Sequence, residues 1–95
     1  LLAPDEREIA PNIYKYLKES LEYGKSHTLK ETHDWVVDNI NAVDGLEVEY
    51  FSIVDGDTLL DVETWEDSKN VVGCITVFCG KKPIRLIDHI KYTDK

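Results

Sequence analysis

Hydrophobic positions recur along this chain with two different periods. In the first half, Ile9, Ile13, Tyr16 or Leu17, and Leu21 follow helical spacing, as do Leu29, His33, Val36, Ile40 and Val43. The first stripe predicts a helix opening at Pro4, with Asp5 and Glu6 near its positive end, and either a kink or a fresh start at Pro11. Gly24 ends it. Thr28-Leu29-Lys30-Glu31 has the form of a capping box for the second helix, which Asp44-Gly45 stops with glycine as a left-handed cap. His33 sits at the edge of that stripe with no second His or Cys on its face, the position of a structural histidine rather than a ligand.

From Leu46 the period shortens to two. Leu46, Val48 and Tyr50 point one way and Glu47 and Glu49 the other, predicting a strand to Asp55. Val71 to Cys79 is almost uninterrupted apolar and β-branched, which predicts a strand covered on both faces. After a connection of about four residues containing Gly80 and Pro83, alternation resumes. Ile84, Leu86, Ile90 and Tyr92 share one side; Arg85, Ile87, His89 and Lys91 share the other. The elements predict an α+β domain in two layers, a helix pair packed on a three-stranded antiparallel sheet with Val71–Cys79 central. Leu46, Val48, Tyr50, Ile75, Val77, Ile84, Leu86 and Ile90 are the expected inner positions. Phe51 and Ile53 fall on the opposite face with Ile87 and Cys74 or Phe78. That leaves two readings open: an exposed contact patch, or a patch covered by the acidic connection Leu59–Asn70 through its anchors Val62 and Trp65.

Ninety-five residues suit one domain, and 42% hydrophobic with 32% charged is an ordinary globular balance. No apolar run approaches the roughly 20 residues of a membrane span, and no signal-peptide pattern opens the chain. The net charge of −8 is unevenly spread. Twelve acidic residues and no Lys or Arg lie between Glu31 and Asp67, whereas six basic residues face two acidic ones from Ser68 onward. Such acidity argues against nucleic acid and anionic membrane as partners, leaving the basic hairpin as the place that would welcome an anion. Cys74 and Cys79 are five apart in one strand, so they face opposite sides and cannot bond to each other; two buried thiols in a reducing cytoplasm is the expectation. The sequence contains no Gly-rich phosphate loop, and no Ser/His/Asp or Cys/His set is arranged for nucleophilic work. No catalytic or metal-ligating residue is expected: Glu47 and Glu49 are like charges on an exposed strand face, and Asp88 suits a neighbouring cation or a strand end.

Four segments in order resemble the pantoate–β-alanine ligase family. Leu2-Ala3-Pro4-Asp5-Glu6-Arg7 is similar to its Leu-Ser-Pro-Glu-Glu-Arg helix start, with Ala3 at the usual capping Ser, a loss of about 1 kcal/mol. The helix pair comes next in the same order. Tyr50-Phe51-Ser52-Ile53-Val54-Asp55 followed by Thr58-Leu59, and Gly80-Lys81 followed by Arg85-Leu86-Ile87-Asp88, resemble its later signatures, with Ile84 for Thr and His89 for Asn. The family's His-x-Gly-His-like and Ser-Ser-Arg-Asn segments do not occur in this sequence. The resemblance therefore implies that residues 1–95 are its C-terminal lid domain, inactive alone. In the whole enzyme ATP and Mg²⁺ activate pantoate as an acyl adenylate, which β-alanine then attacks to give pantothenate. Implied partners are the N-terminal nucleotide-binding domain and, as a further option, a second copy. No cofactor is expected on this fragment itself. Lys81, Lys82 and Arg85 become the candidate lid contacts to polyphosphate, against the competing reading of lysines guarding a solvated turn. A free-standing interaction module of the same fold, or a small ligand-binding domain of unrelated descent, are the alternatives.

Overall fold

A computed structural model describes residues 4–81 and 84–92. Helices α1 (Pro4–Ile9), α2 (Pro11–Tyr23) and α3 (Leu29–Asn41) precede strand β1 (Leu46–Asp55), and β2 (Val71–Cys79) and β3 (Ile84–Lys91) complete the chain. The helix restarts at Pro11, where the missing N–H is an orphan donor in any case. Thr28 and Glu31 form the expected capping box on α3. That helix stops earlier than the glycine predicted: Ala42 is its C-cap, and Gly45 takes its positive φ of 98° in the turn leading to β1.

The sheet is antiparallel in the order β1-β2-β3. On its inner side Val71, Ile75, Val77 and Cys79 are fully buried beneath Leu17, Val36 and Ile40 from the helices. Gly73 lies among them because the rings of Phe51 and Tyr92 close over it; a Cβ there would sit 2.9 Å from each. Contrary to the expectation of cover on both faces, the outer positions Val72, Cys74 and Phe78 are only half-buried, although Thr76 and Val54 on the same side are buried.

The strict alternation predicted for β1 fails at its middle. Val48 pairs with Val77 but Tyr50 pairs with Thr76, so Glu49 is an extra residue opposite no partner. Beyond this bulge the phase reverses. Phe51 and Ile53, expected outward, are core residues at 6% and 4% exposure, whereas Tyr50, expected inward, is 48% exposed. Burying two such side chains is worth about 1.5–3 kcal/mol each, against about 1 kcal/mol for a disturbed ladder hydrogen bond, so the bulged register wins.

The connection after β1 does not fold over the sheet's outer face. It runs along the edge of β1, where Val62 donates to the Ile53 carbonyl at 3.1 Å and Asp61 bridges Val54. It then crosses to the helix side, where a 3₁₀ turn at Trp65–Asp67 seats the indole against Gly24, its Nε1 donating to the His27 carbonyl at 3.0 Å. Trp65 also meets Tyr92, whose hydroxyl lies 2.7 Å from the Ser20 hydroxyl. Burial pushes the Tyr92 phenol up to about 12, the Ser20 contact offsetting part of the rise.

Phe51→Ser should destabilise the domain by about 3–5 kcal/mol in a denaturant titration, whereas Ile87→Ser on the outer face should stay within about 0.5 kcal/mol. The reverse order would contradict the bulged register. In an ultraviolet pH titration, the Tyr92 phenol should ionise above the usual tyrosine range. Its folded pKa is raised, so its contribution is intact below pH 10 and is lost as pH climbs toward about 12, a loss of about 2–3 kcal/mol. Replacement by Phe should flatten that alkaline limb.

Candidate functional site

Three chain segments meet at one end of the sheet. Gly80, with φ of 92°, opens the β2–β3 turn and donates its N–H to the Gly45 carbonyl at 3.0 Å. Ile9 at the end of α1 lies against Gly45, so that a Cβ there would be 3.0 Å from the Ile9 Cδ1. A hollow of about 420 Å³ opens at this junction, lined by Gly45, Leu46, Glu47, Phe78 and Gly80.

The three candidate cations fare differently here. Lys81 is exposed in the turn. Lys82, with Pro83, lies outside the described residues. Arg85 is ion-paired: its Nε donates to Glu49 Oε1 at 3.0 Å while the side chain remains 58% exposed. The bulge that inverts β1 therefore also supplies the carboxylate that holds Arg85. An exposed pair of this kind contributes about 0–1 kcal/mol to stability, but it sets the guanidinium's direction and offsets part of its field. Sequence reasoning takes Glu49 as one of two unengaged strand charges; the signal it misses is the length mismatch between β1 and β2.

Four further carboxylates serve local structure. Asp55 Oδ1 accepts from the Asp57 and Thr58 amides at 2.7 and 3.0 Å, and its Oδ2 accepts from the Ser68 hydroxyl at 2.6 Å. The Ser68 bond first, then the two amides, holds its carboxyl below the usual range. Asp67 is lowered by the amide of Glu63 and by Thr64, and Glu31 by the Thr28 amide. Asp34 is lowered first by His33, whose other nitrogen lies 2.9 Å from the Phe51 carbonyl with its ring stacked on Phe51. These carboxylates cap turns and helix starts, and are ionised where a general acid would need its proton. Asp88 accepts from the His89 amide at 2.8 Å. Leu59 takes a φ of 62° in the exposed turn after Asp55, which the hydrogen bonds around Asp55 enforce.

Cys79 is buried on the inner face and Cys74 half-buried on the outer one, neither in a disulfide. Among the described residues no group of three His, Cys, Asp or Glu could hold a metal, and no helix is long and apolar enough to cross a membrane. What this end of the domain presents is an exposed lysine, a tethered arginine and a hollow beside Phe78, a surface able to contact an anion but not to enclose one.

The model of the Pantoate-beta-alanine ligase family matches residues 1–91. Pantothenate synthetase of Bacteroides thetaiotaomicron is 53% identical over 93 residues, and that of Porphyromonas gingivalis 46% over 93; each alignment covers 98% of this chain and 32% of the relative. The crystal structure of the Thermus thermophilus enzyme superposes with a TM-score of 0.82 at 26% identity, covering 97% of this chain and 32% of that one. The chain thus spans about a third of the length of the curated relatives it matches. With the two helices, the three-stranded sheet and the signatures around Asp55 and Arg85 all accounted for, the chain belongs to the pantoate–β-alanine ligase family and corresponds to its C-terminal domain.

Proposed function

We propose that this domain is the lid of a cytoplasmic pantothenate synthetase, closing over a nucleotide site carried by the preceding domain. The observation that carries the reading is the match of 98% of this chain to 32% of its relatives, in a sequence without a phosphate-cradling loop. The whole enzyme would join pantoate to β-alanine with ATP as the activating cofactor and Mg²⁺ as its counter-ion, releasing AMP. The described residues offer no set of three metal ligands, so no step is assigned to Mg²⁺ on this domain.

The lid's task follows from the chemistry. An acyl adenylate hydrolyses if water reaches it, so a rigid domain that covers the site keeps it for the amine. Lys81 projects from a turn fixed by the Gly80–Gly45 bond, and Arg85 is held by Glu49 beside it. Both would add positive charge at the rim when the lid shuts, with Lys82 adjoining them in sequence.

The test is a graft. Replacing the matching third of the Bacteroides thetaiotaomicron enzyme by this chain should give a hybrid that makes pantothenate, while the 95-residue chain alone, with ATP, Mg²⁺, pantoate and β-alanine, should release no AMP. Lys81→Ala and Arg85→Ala should each lower the hybrid's turnover by about tenfold or less, as expected for peripheral electrostatic contacts. AMP release by the isolated chain would overturn the lid assignment; a folded but inactive hybrid would favour the free-standing interaction module.

A further inference from the structure

The tripeptide Val-Asp-Gly occurs twice in this sequence, as Val43-Asp44-Gly45 and as Val54-Asp55-Gly56. A glycine after aspartate leaves its amide nitrogen unshielded, because no Cβ blocks the approach to it. That nitrogen can attack the side-chain carboxyl carbon of the aspartate before it. With the local sequence matched, any difference between the two sites comes from the fold.

Asp55-Gly56 is fastened at both reacting groups. The carboxylate accepts from the Asp57 and Thr58 amides and from the Ser68 hydroxyl. The nitrogen is engaged as well, since the Gly56 N–H donates to the Asn70 carbonyl at 2.7 Å. The Asn70 side chain fills the space beside Gly56, where a Cβ would collide with its amide group. The bonds that hold Asp55 ionised also make its protonated form scarce, and it is that form whose hydroxyl leaves readily.

Asp44-Gly45 has none of these fastenings. Both residues are exposed in the turn between α3 and β1. Among the described residues the Asp44 carboxylate meets no donor or cation and the Gly45 N–H meets no acceptor. The turn's own bonds pass them by, running from the Val43 amide to Ile40 and from the Leu46 amide to Val43. Only the Gly45 carbonyl is engaged, by the Gly80 N–H at 3.0 Å.

We propose that Asp44 is a site of spontaneous isoaspartate formation, and that the change undoes the Gly45–Gly80 fastening at the basic turn. The Gly45 nitrogen bonds to the Asp44 side-chain carboxyl carbon while the bond from that carbon to its hydroxyl breaks. The hydroxyl leaves as water with the amide proton, and a succinimide ring remains. Water then adds to one of the two ring carbonyls and breaks its bond to nitrogen. Opening at the side-chain carbonyl restores aspartate. Opening at the backbone carbonyl routes the chain through the side chain, one methylene longer. The turn has little slack for that methylene: Gly45 holds a φ of 98°, Ile9 lies against it, and its carbonyl must still reach Gly80. Displacing that carbonyl releases the start of the turn that carries Lys81.

The experiment incubates the whole chain at neutral pH in heavy-oxygen water and maps its peptides by electron-transfer mass spectrometry. Each passage through the succinimide inserts one oxygen from water at that residue, and the fragments separate isoaspartate from aspartate. Asp44 should take up label at least about tenfold faster than Asp55, whose fastenings must open before its ring can close. In urea, where neither is held, the two rates should converge. In the folded chain Ser68→Ala should speed labelling at Asp55, and Asp44→Glu should leave its position unlabelled. The isomerised chain should exchange its Gly80 amide faster, while the core amide of Ile75 stays slow. Label entering Asp55 as fast as Asp44 in the folded chain would overturn the assignment, as would an Asp55 that stays slow in urea. Isoaspartate at Asp44 with Gly80 exchange unchanged would overturn its effect on the turn.

Discussion

Strand β1 brings ten residues to a partner strand of nine, and the surplus residue must leave the ladder somewhere. It leaves at Glu49, between Val48 and Tyr50. Everything C-terminal to that point on β1 changes sides: Phe51 and Ile53 turn under the helices and Tyr50 turns away from them. Without the bulge one end of the core would lack its largest side chains, and Gly73 would have no Phe51 ring to receive. The outer face would carry an apolar stripe along the second half of β1.

The bulge also organises the charges. Placing Glu49 where it can reach Arg85 fixes the guanidinium beside the Gly80 turn. It balances the charge of Arg85 on the outer face. Asp55, Asp67 and Glu31 are drawn into hydrogen bonds with amides and hydroxyls, and Asp34 into its bond with His33, which hold them ionised. Three of the twelve acids from Glu31 to Asp67 thus fasten turns or helix starts, and a fourth holds His33. What remains for function is the outer sheet face and the basic turn at its Gly80 end.

Much of this is legible in the sequence because the signals are local. Both β2 and the capping box at Thr28 stand where composition and spacing put them, and so does the restart at Pro11. The single central strand and the placement of Ile84, Leu86 and Ile90 inward follow from a period that nothing interrupts. The side assignment of β1 is not legible, because alternation carries no mark of an unpaired residue until the partner strand's length is known. Two consequences stay hidden with it: the engagement of Arg85 by Glu49, and the replacement of Phe51 and Ile53 by Tyr50, Ser52 and Val54 on the outer face. Gly45 misleads for another reason; its positive φ serves the turn into β1 rather than the helix end.

The side on which the Phe51 ring lies is the most direct test, since the core, the ion pair and the bare face all depend on it. In a two-dimensional nuclear Overhauser spectrum of the chain, the Phe51 ring protons should show cross-peaks to the Gly73 α-protons and to the side chain of Ile75, its register partner. The Tyr50 ring should show none to the core methyls of Val36 or Ile75. Cross-peaks from Tyr50 to those methyls, with Phe51 lacking its contact to Gly73, would mean that β1 alternates without a bulge.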